Sequence, residues 1–236
     1  MKNKRKFWTY FYPVLCLLWI PFTVNAQNWM NTARYAKQNQ KLMEDKITPD
    51  VVFIGNSITE AWANNYPDFF ANNNYEGRGI SGQTTPQFLL RFRHDVINLH
   101  PKIVVINGGI NDIAENTGPY DHDVTFSHIQ SMAELAMSNN IKVILTSVMP
   151  ASGIPWRLDI KNTPDKIIAL NNSIREYARQ KNIPYLDYYA SMVDEKNEKK
   201  AMIADYTTDG VHVTEAGYKV MEKLVKQMID KVLAGN

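Results

Sequence analysis

Cysteine is nearly absent from this 236-residue chain: Cys16 is the single one, and it sits inside an amino-terminal apolar run. With no second cysteine, an intrachain disulfide is excluded, and no thiol nucleophile is available beyond that run. Stability must therefore come from a packed core. Basic runs are lacking beyond residue 6, which argues against nucleic acid as a partner. Internal repeats, low-complexity stretches and Pro/Gly-rich linkers are lacking too, so nothing in the composition divides the chain into units.

One long apolar run is present. It extends from Phe7 to Val24, is interrupted by Pro13 and Pro21, and is preceded by Lys2, Lys4, Arg5 and Lys6. Val24-Asn25-Ala26 supplies the small residues of a cleavage site, so residues 1–26 read as an export signal cut after Ala26. Without stop-transfer charges after it, the run is expected to leave no membrane span. The expected product is a single domain, residues 27–236, periplasmic or secreted, with 22 basic residues against 24 acidic ones.

Val51-Val52-Phe53-Ile54, Ile103-Val104-Val105-Ile106 and Lys142-Val143-Ile144-Leu145 read as continuous apolar strands, the pattern of a parallel sheet covered on both faces. A shorter strand is expected near Tyr75 to Gly79. Helices are expected between them. Thr84-Thr85-Pro86 starts one that carries Phe88, Leu89, Phe92, Val96 and Leu99, and Thr163-Pro164 starts another with Ile167, Leu170, Ile174 and Tyr177. After Thr214, an apolar stripe runs through Val220, Met221, Leu224, Val225, Met228, Ile229 and Val232. The segment from Trp29 to Lys46 also looks helical. The alternation predicts a three-layer α/β/α fold, a flavodoxin-like doubly wound parallel sheet of about five strands, with ligands at the carboxyl ends of the strands.

Four short blocks carry chemistry: GNSIT at 55–59, GISG at 79–82, GIND at 109–112 and DGVH at 209–212. The first three follow strands and should crowd one edge of the sheet. A serine hydroxyl needs an adjacent base to become a nucleophile, and His212, held by Asp209 three residues earlier, is the candidate base for Ser57. His94, His100, His122 and His128 lack such a companion and read as surface or packing residues. Backbone N–H groups of Ser57 and Gly82, with the Asn111 side-chain amide, are the candidate donors for an oxyanion. Taken singly, each block also suits an ordinary turn or helix cap.

The ordered set resembles the SGNH (GDSL-like) hydrolase family, and the resemblance covers most of the chain after about residue 50. It implies that Ser57, Gly82, Asn111 and His212 are the family's four named positions and that Asp209 is the triad acid. No metal or cofactor is implied. The nucleophile lies outside any GxSxG elbow, which sets the chain apart from conventional α/β-hydrolases. Two departures stand out: Asn56 replaces the acid usual beside the nucleophile, and Asn107-Gly108 precedes the third block where an apolar residue would be less surprising.

Aromatic rings after the nucleophile block, and after Thr146-Ser147-Val148-Met149-Pro150 at the end of another central strand, suggest a site wall. Trp62 and Trp156 are candidate substrate-binding residues, whereas Phe69 and Phe70 are expected in the core. Through the resemblance, the expected substrate is an acylated glycan or small molecule, most simply an O-acetylated carbohydrate. Lysophospholipase, platelet-activating-factor acetylhydrolase-like or thioesterase activity is the alternative. Two readings of other classes are a glycan-binding module without turnover and a metal-dependent phosphoesterase built on Asp121, His122 and Asp123 with Asp209 and His212; three adjacent residues rarely aim at one ion.

Overall fold

A computed structural model describes residues 29–235, so the export signal read at residues 1–26 lies outside the described residues. Among the described residues there are five strands: β1 (Val51–Gly55), β2 (Tyr75–Gly79), β3 (Ile103–Ile106), β4 (Lys142–Thr146) and β5 (Tyr185–Leu186). They pair in parallel throughout, in the order β2-β1-β3-β4-β5. This is the flavodoxin-like order. The chain leaves β1 for one neighbour and β2 for the opposite one, and the loops after β1, β2 and β3 meet at that reversal.

Nine helices flank the sheet among the described residues: α1 (Ala36–Glu44), α2 (Ser57–Asn65), α3 (Pro67–Ala71), α4 (Thr85–Asp95), α5 (Ile110–Ile113), α6 (His122–Ser138), α7 (Thr163–Lys181), α8 (Tyr188–Met192) and α9 (Glu215–Ala234). Successive strand residues face opposite ways. Val52, Ile54, Val104, Ile106, Val143 and Leu145 pack under α4, α6 and α7. Val51, Phe53, Ile103, Val105 and Ile144 pack on the other face, under α2, α3, α8 and α9. Both faces are dry, which is why these strands are apolar without alternation.

Local signals set most helix starts. Thr84 and Gln87 form a reciprocal capping box ahead of Pro86, and Thr214 caps α9 by accepting from the Gly217 N–H. Helix α4 ends earlier than its apolar pattern suggests. Val96 turns out of helical geometry, Ile97–Leu99 form a separate tight turn, and Pro101 stops any continuation, although Val96 and Leu99 remain buried. The helical reading of Trp29 to Lys46 shrinks to α1, because Asn31 and Lys46 take positive φ values of 51° and 57°.

Trp62 corrects the sequence reading. It is 2% exposed and lines no open site. Position 62 lies about 140° around α2 from Ser57, so when Ser57 faces the crevice Trp62 faces the sheet. There it stacks on Phe69 at 5.1 Å and Tyr218 at 5.7 Å, and meets Phe53 edge-on at 5.5 Å. Its indole N–H donates to Glu222 at 3.0 Å. Phe70 is buried in the same cluster, as expected.

Asp112 joins α5 to the start of α4. Its buried carboxyl accepts from the Thr85 N–H at 3.1 Å and from the Thr85 hydroxyl at 2.6 Å. Burial pushes its pKa up to about 6, in spite of the opposing pull of the Thr85 hydrogen bonds.

Two outcomes follow from this packing. Trp62→Ala should lower stability by about 3–5 kcal/mol in urea unfolding, the cost of emptying a large core site; a loss under about 1 kcal/mol would contradict its place in the core. For Asp112 the folded pKa lies above the unfolded one, so its contribution to stability is complete below about pH 4 and is lost as pH rises through about 6. Asp112→Asn keeps an acceptor for Thr85 and removes that slope, so its change in unfolding free energy between about pH 4 and 7 should differ from wild type by about 1–3 kcal/mol. Identical pH dependence in both proteins would contradict the assignment.

Candidate active site

The nucleophile block is a strand-to-helix turn. Gly55 ends β1, Asn56 caps α2 by accepting from the Ile58 N–H at 3.0 Å, and Ser57 is the first helical residue. The cap requires only a side-chain oxygen, so the neutral Asn56 does what an acid would do there. Gly79 lets the second block lie against this turn, since a Cβ at that position would come within 2.1 Å of the Glu60 nitrogen. Asn107 and Gly108 also find their reasons. The Asn107 amide donates to the Thr146 hydroxyl at 2.8 Å, tying the ends of β3 and β4, and a Cβ on Gly108 would meet the Phe88 ring at 2.6 Å.

Ser57 Oγ lies 3.1 Å from His212 Nε2 across 155 residues of chain. His212 Nδ1 lies 2.8 Å from Asp209 Oδ2. The other carboxylate oxygen accepts from the backbone N–H groups of Val211 at 2.9 Å and His212 at 2.8 Å, so the short loop fixes the acid before the imidazole reaches it. Burial alone would raise the Asp209 pKa, but the hydrogen bonds from His212 and Val211 outweigh it and hold the carboxyl below its ordinary range. An ionised Asp209 keeps the proton on Nδ1 and leaves Nε2 to accept the Ser57 proton. The side chains of His212 and Asp209 are 37% and 36% exposed, which lets water reach the imidazole.

Three donors converge on the same place. Ser57 stands at the amino end of α2, where backbone N–H groups have no partner within the helix. Gly82 takes φ +76°, and no atom lies within 4 Å of where its Cβ would be, so the backbone there is open to a ligand. Asn111 is 2% exposed, and one N–H of its amide donates to the Gln83 carbonyl at 2.9 Å. A side-chain amide has two N–H groups, so the second can serve an anion. Such a set could stabilise a carbonyl oxygen as it gains charge.

Ser57, Gly82, Asn111 and His212 line an open cavity of about 320 Å³ together with Ser81, Asn116 and Trp156. Trp156 is 40% exposed and stands 5.7 Å from the His212 ring, tilted by 39°. Its N–H donates to Asn116 Oδ1 at 3.0 Å, and the Asn116 amide donates to the Gly82 carbonyl at 3.1 Å. Of the two tryptophans singled out from the sequence, the structure brings Trp156 to the cavity and not Trp62. Asn116 and Glu60 escaped the sequence reading because no motif marks them, and Ser81, inside the GISG block, was given no role there. Glu60 accepts from the Ser81 N–H at 2.8 Å and from Arg34 at 2.9 Å; burial raises its pKa, and these bonds outweigh it and lower it.

A larger cavity of about 500 Å³ lies at the opposite, amino edge of the sheet, among Ile141, Lys142, Lys181 and Ile183. It holds no nucleophile-base pair, so the chemistry selects the smaller one. Asp121 caps α6 by accepting from the Val124 N–H at 2.9 Å, and His122 pairs with the Ser173 hydroxyl at 2.9 Å. Among the described residues no group of three His, Cys, Asp or Glu side chains is arranged to hold a metal ion.

The model of the GDSL-like Lipase/Acylhydrolase family matches residues 53–220. No protein of curated function matches the sequence. Among solved structures, a GDSL-like lipase from Bacteroides thetaiotaomicron is 56% identical with a TM-score of 0.83, over 86% of this chain and 99% of that one. A protein from Bacteroides fragilis, provisionally named an acylhydrolase, is 54% identical with a TM-score of 0.83, over 87% of this chain and 98% of that one. An acetyl xylan esterase is 25% identical with a TM-score of 0.60, over 75% and 98% of the two chains. With the family's span covering most of its length and solved relatives more than half identical, the chain belongs to the GDSL-like lipase/acylhydrolase family and is a carboxylic ester hydrolase.

Proposed function

We propose that this chain is an exported serine esterase that removes short acyl groups, acetyl foremost, from carbohydrate. The observation that carries the reading is the contiguous line from Asp209 through His212 to Ser57, opening on a cavity with candidate oxyanion donors. Ser57 Oγ attacks the ester carbonyl while His212 Nε2 takes its proton, and Asp209 stabilises the imidazolium. The carbonyl oxygen gains charge between the Ser57 and Gly82 N–H groups and the Asn111 amide. His212 then protonates the departing alcohol, and water, activated by the same imidazole, releases the acid from Ser57.

Three features support a sugar ester. The cavity is open and about 320 Å³, which suits a small acyl group with its alcohol left outside. The exposed indole face of Trp156 and the amide of Asn116 flank it, the pairing of flat apolar and hydrogen-bonding surface that a pyranose ring meets. An acetyl xylan esterase shares the fold at 25% identity. Export rests on the sequence of residues 1–26, with its basic start, apolar run and Val24-Asn25-Ala26. A second reading, a lipid ester, is favoured by Leu158, 81% exposed and two residues from Trp156.

Mass spectrometry of acetylated xylan fragments should show loss of acetyl mass on incubation with the protein. Ser57→Ala should abolish it with the fold intact, and Asp209→Asn should lower kcat by roughly 10³–10⁴. Faster release of fatty acid from a lysophospholipid than of acetate from any glycan would transfer the assignment to the lipid reading. Full turnover by Ser57→Ala would remove the serine mechanism altogether.

A further inference from the structure

A buried polar cluster beneath the cavity belongs to none of the four sequence blocks. At its centre is Arg91, on α4, whose side chain is fully enclosed. Each arm of the guanidinium has a separate destination. Nη2 donates to the Gly55 carbonyl at 3.0 Å, two residues before Ser57. Nε donates to the Gln83 side-chain oxygen at 2.7 Å, one residue after Gly82. Nη1 pairs with Asp95 at 2.9 Å, and the second oxygen of Asp95 accepts from Asn39 on α1 at 2.8 Å.

Gln83 is equally committed. Its side-chain amide donates to the Met30 carbonyl at 3.0 Å, while its backbone carbonyl accepts from Asn111 at 2.9 Å. One planar cation thus touches the strand that delivers the nucleophile and the residue that follows Gly82. Through Gln83 it also meets the amide that the third block contributes. Packing alone gives no reason for this. Apolar side chains would seat α4 on the sheet without the desolvation cost of an enclosed charge, whereas the guanidinium fork sets three hydrogen bonds in fixed directions. Oxyanion donors are effective only when their geometry is set before charge develops, so a rigid tie between these loops has a catalytic consequence.

We infer that Arg91, acting through Gln83, is a positioning residue that fixes the Gly82 and Asn111 donors relative to Ser57. The inference rests on the oxyanion reading of those donors. Arg91 itself touches no substrate. Asn39 on α1, which donates to Asp95, and Met30, which accepts from Gln83, lie before residue 53, where the match to the family begins, so the tie draws in a segment outside that span.

The test compares Arg91→Lys, Gln83→Met and the double variant with wild type on p-nitrophenyl acetate, alongside thermal unfolding and the affinity of a trifluoromethyl ketone that mimics the tetrahedral intermediate. Both single variants are expected to lower kcat by about tenfold or more with KM within about threefold. Affinity for the ketone should fall in step with kcat, and the double variant should lose no more than the worse single one, since both break one link. A merely structural role would lower the unfolding temperature and leave kcat and ketone affinity of the folded enzyme at wild-type values, and that result would overturn the inference. Gln83→Met, which leaves the Arg91–Asp95 pair in place, carries the comparison if Arg91→Lys does not fold. Ser57→Ala in the same assay tests the site itself: turnover that survives it would sink the site reading, whereas turnover that needs Ser57 but is indifferent to Arg91 and Gln83 would sink the tie alone.

Discussion

Parallel strands of one sheet all end at the same edge, and that constraint brings together residues that the sequence scatters. Ser57, Gly82 and Asn111 each follow a strand, and those strands are the three neighbours at which the winding reverses direction. The fourth contributor arrives by another route. His212 lies in the approach to α9, and its position depends on how that helix packs through Tyr218, Met221 and Val225 onto the face that also buries Phe53 and Trp62. The Tyr218 hydroxyl donates to the Ile58 carbonyl at 2.8 Å, so α9 is pinned one residue beyond the nucleophile. Packing of a core face therefore sets the distance over which a proton would move.

Charge at the site is arranged with economy. Asp209 is ionised and accepts three hydrogen bonds, the neighbouring Asn56 is neutral, and Asn111 donates without adding a positive charge that would compete with the imidazolium. The Glu60 carboxyl, beside Ser81 of the cavity wall, is occupied by Arg34 and Ser81. Asp112, adjacent to Asn111 in sequence, faces Thr85 instead of the cavity. The substitution of Asn56 for an acid is thus compatible with the geometry of the turn, because the residue caps a helix and does not face the cavity.

Much of the fold was legible because it depends on local rules. Continuous apolar runs at 51–54, 103–106 and 143–145 can be buried on both sides only in a covered parallel sheet, and Thr-Pro pairs at 85–86 and 163–164 start helices by their own stereochemistry. β5 was not visible, since two residues, Tyr185 and Leu186, carry no periodicity. Within the site, the four blocks could be read from residue type and order. Trp62 was misplaced because an aromatic residue five positions after a nucleophile looks the same in sequence whether the helix turns it outward or inward. Arg91 was illegible for the opposite reason. A charged residue in an amphipathic helix reads as solvated surface, and only the tertiary arrangement reveals that Gly55, Gln83 and Asp95 surround it.

The central claim is that Ser57 is activated by His212 within the folded chain. Stoichiometric labelling with a fluorophosphonate, followed by peptide mass spectrometry, tests it most directly, because the reagent reports the activated hydroxyl independently of which ester is the substrate. The account predicts one adduct per chain, on the peptide that contains Ser57, with labelling suppressed in His212→Ala. Labelling confined to another residue, or labelling of Ser57 at an undiminished rate without His212, would contradict it.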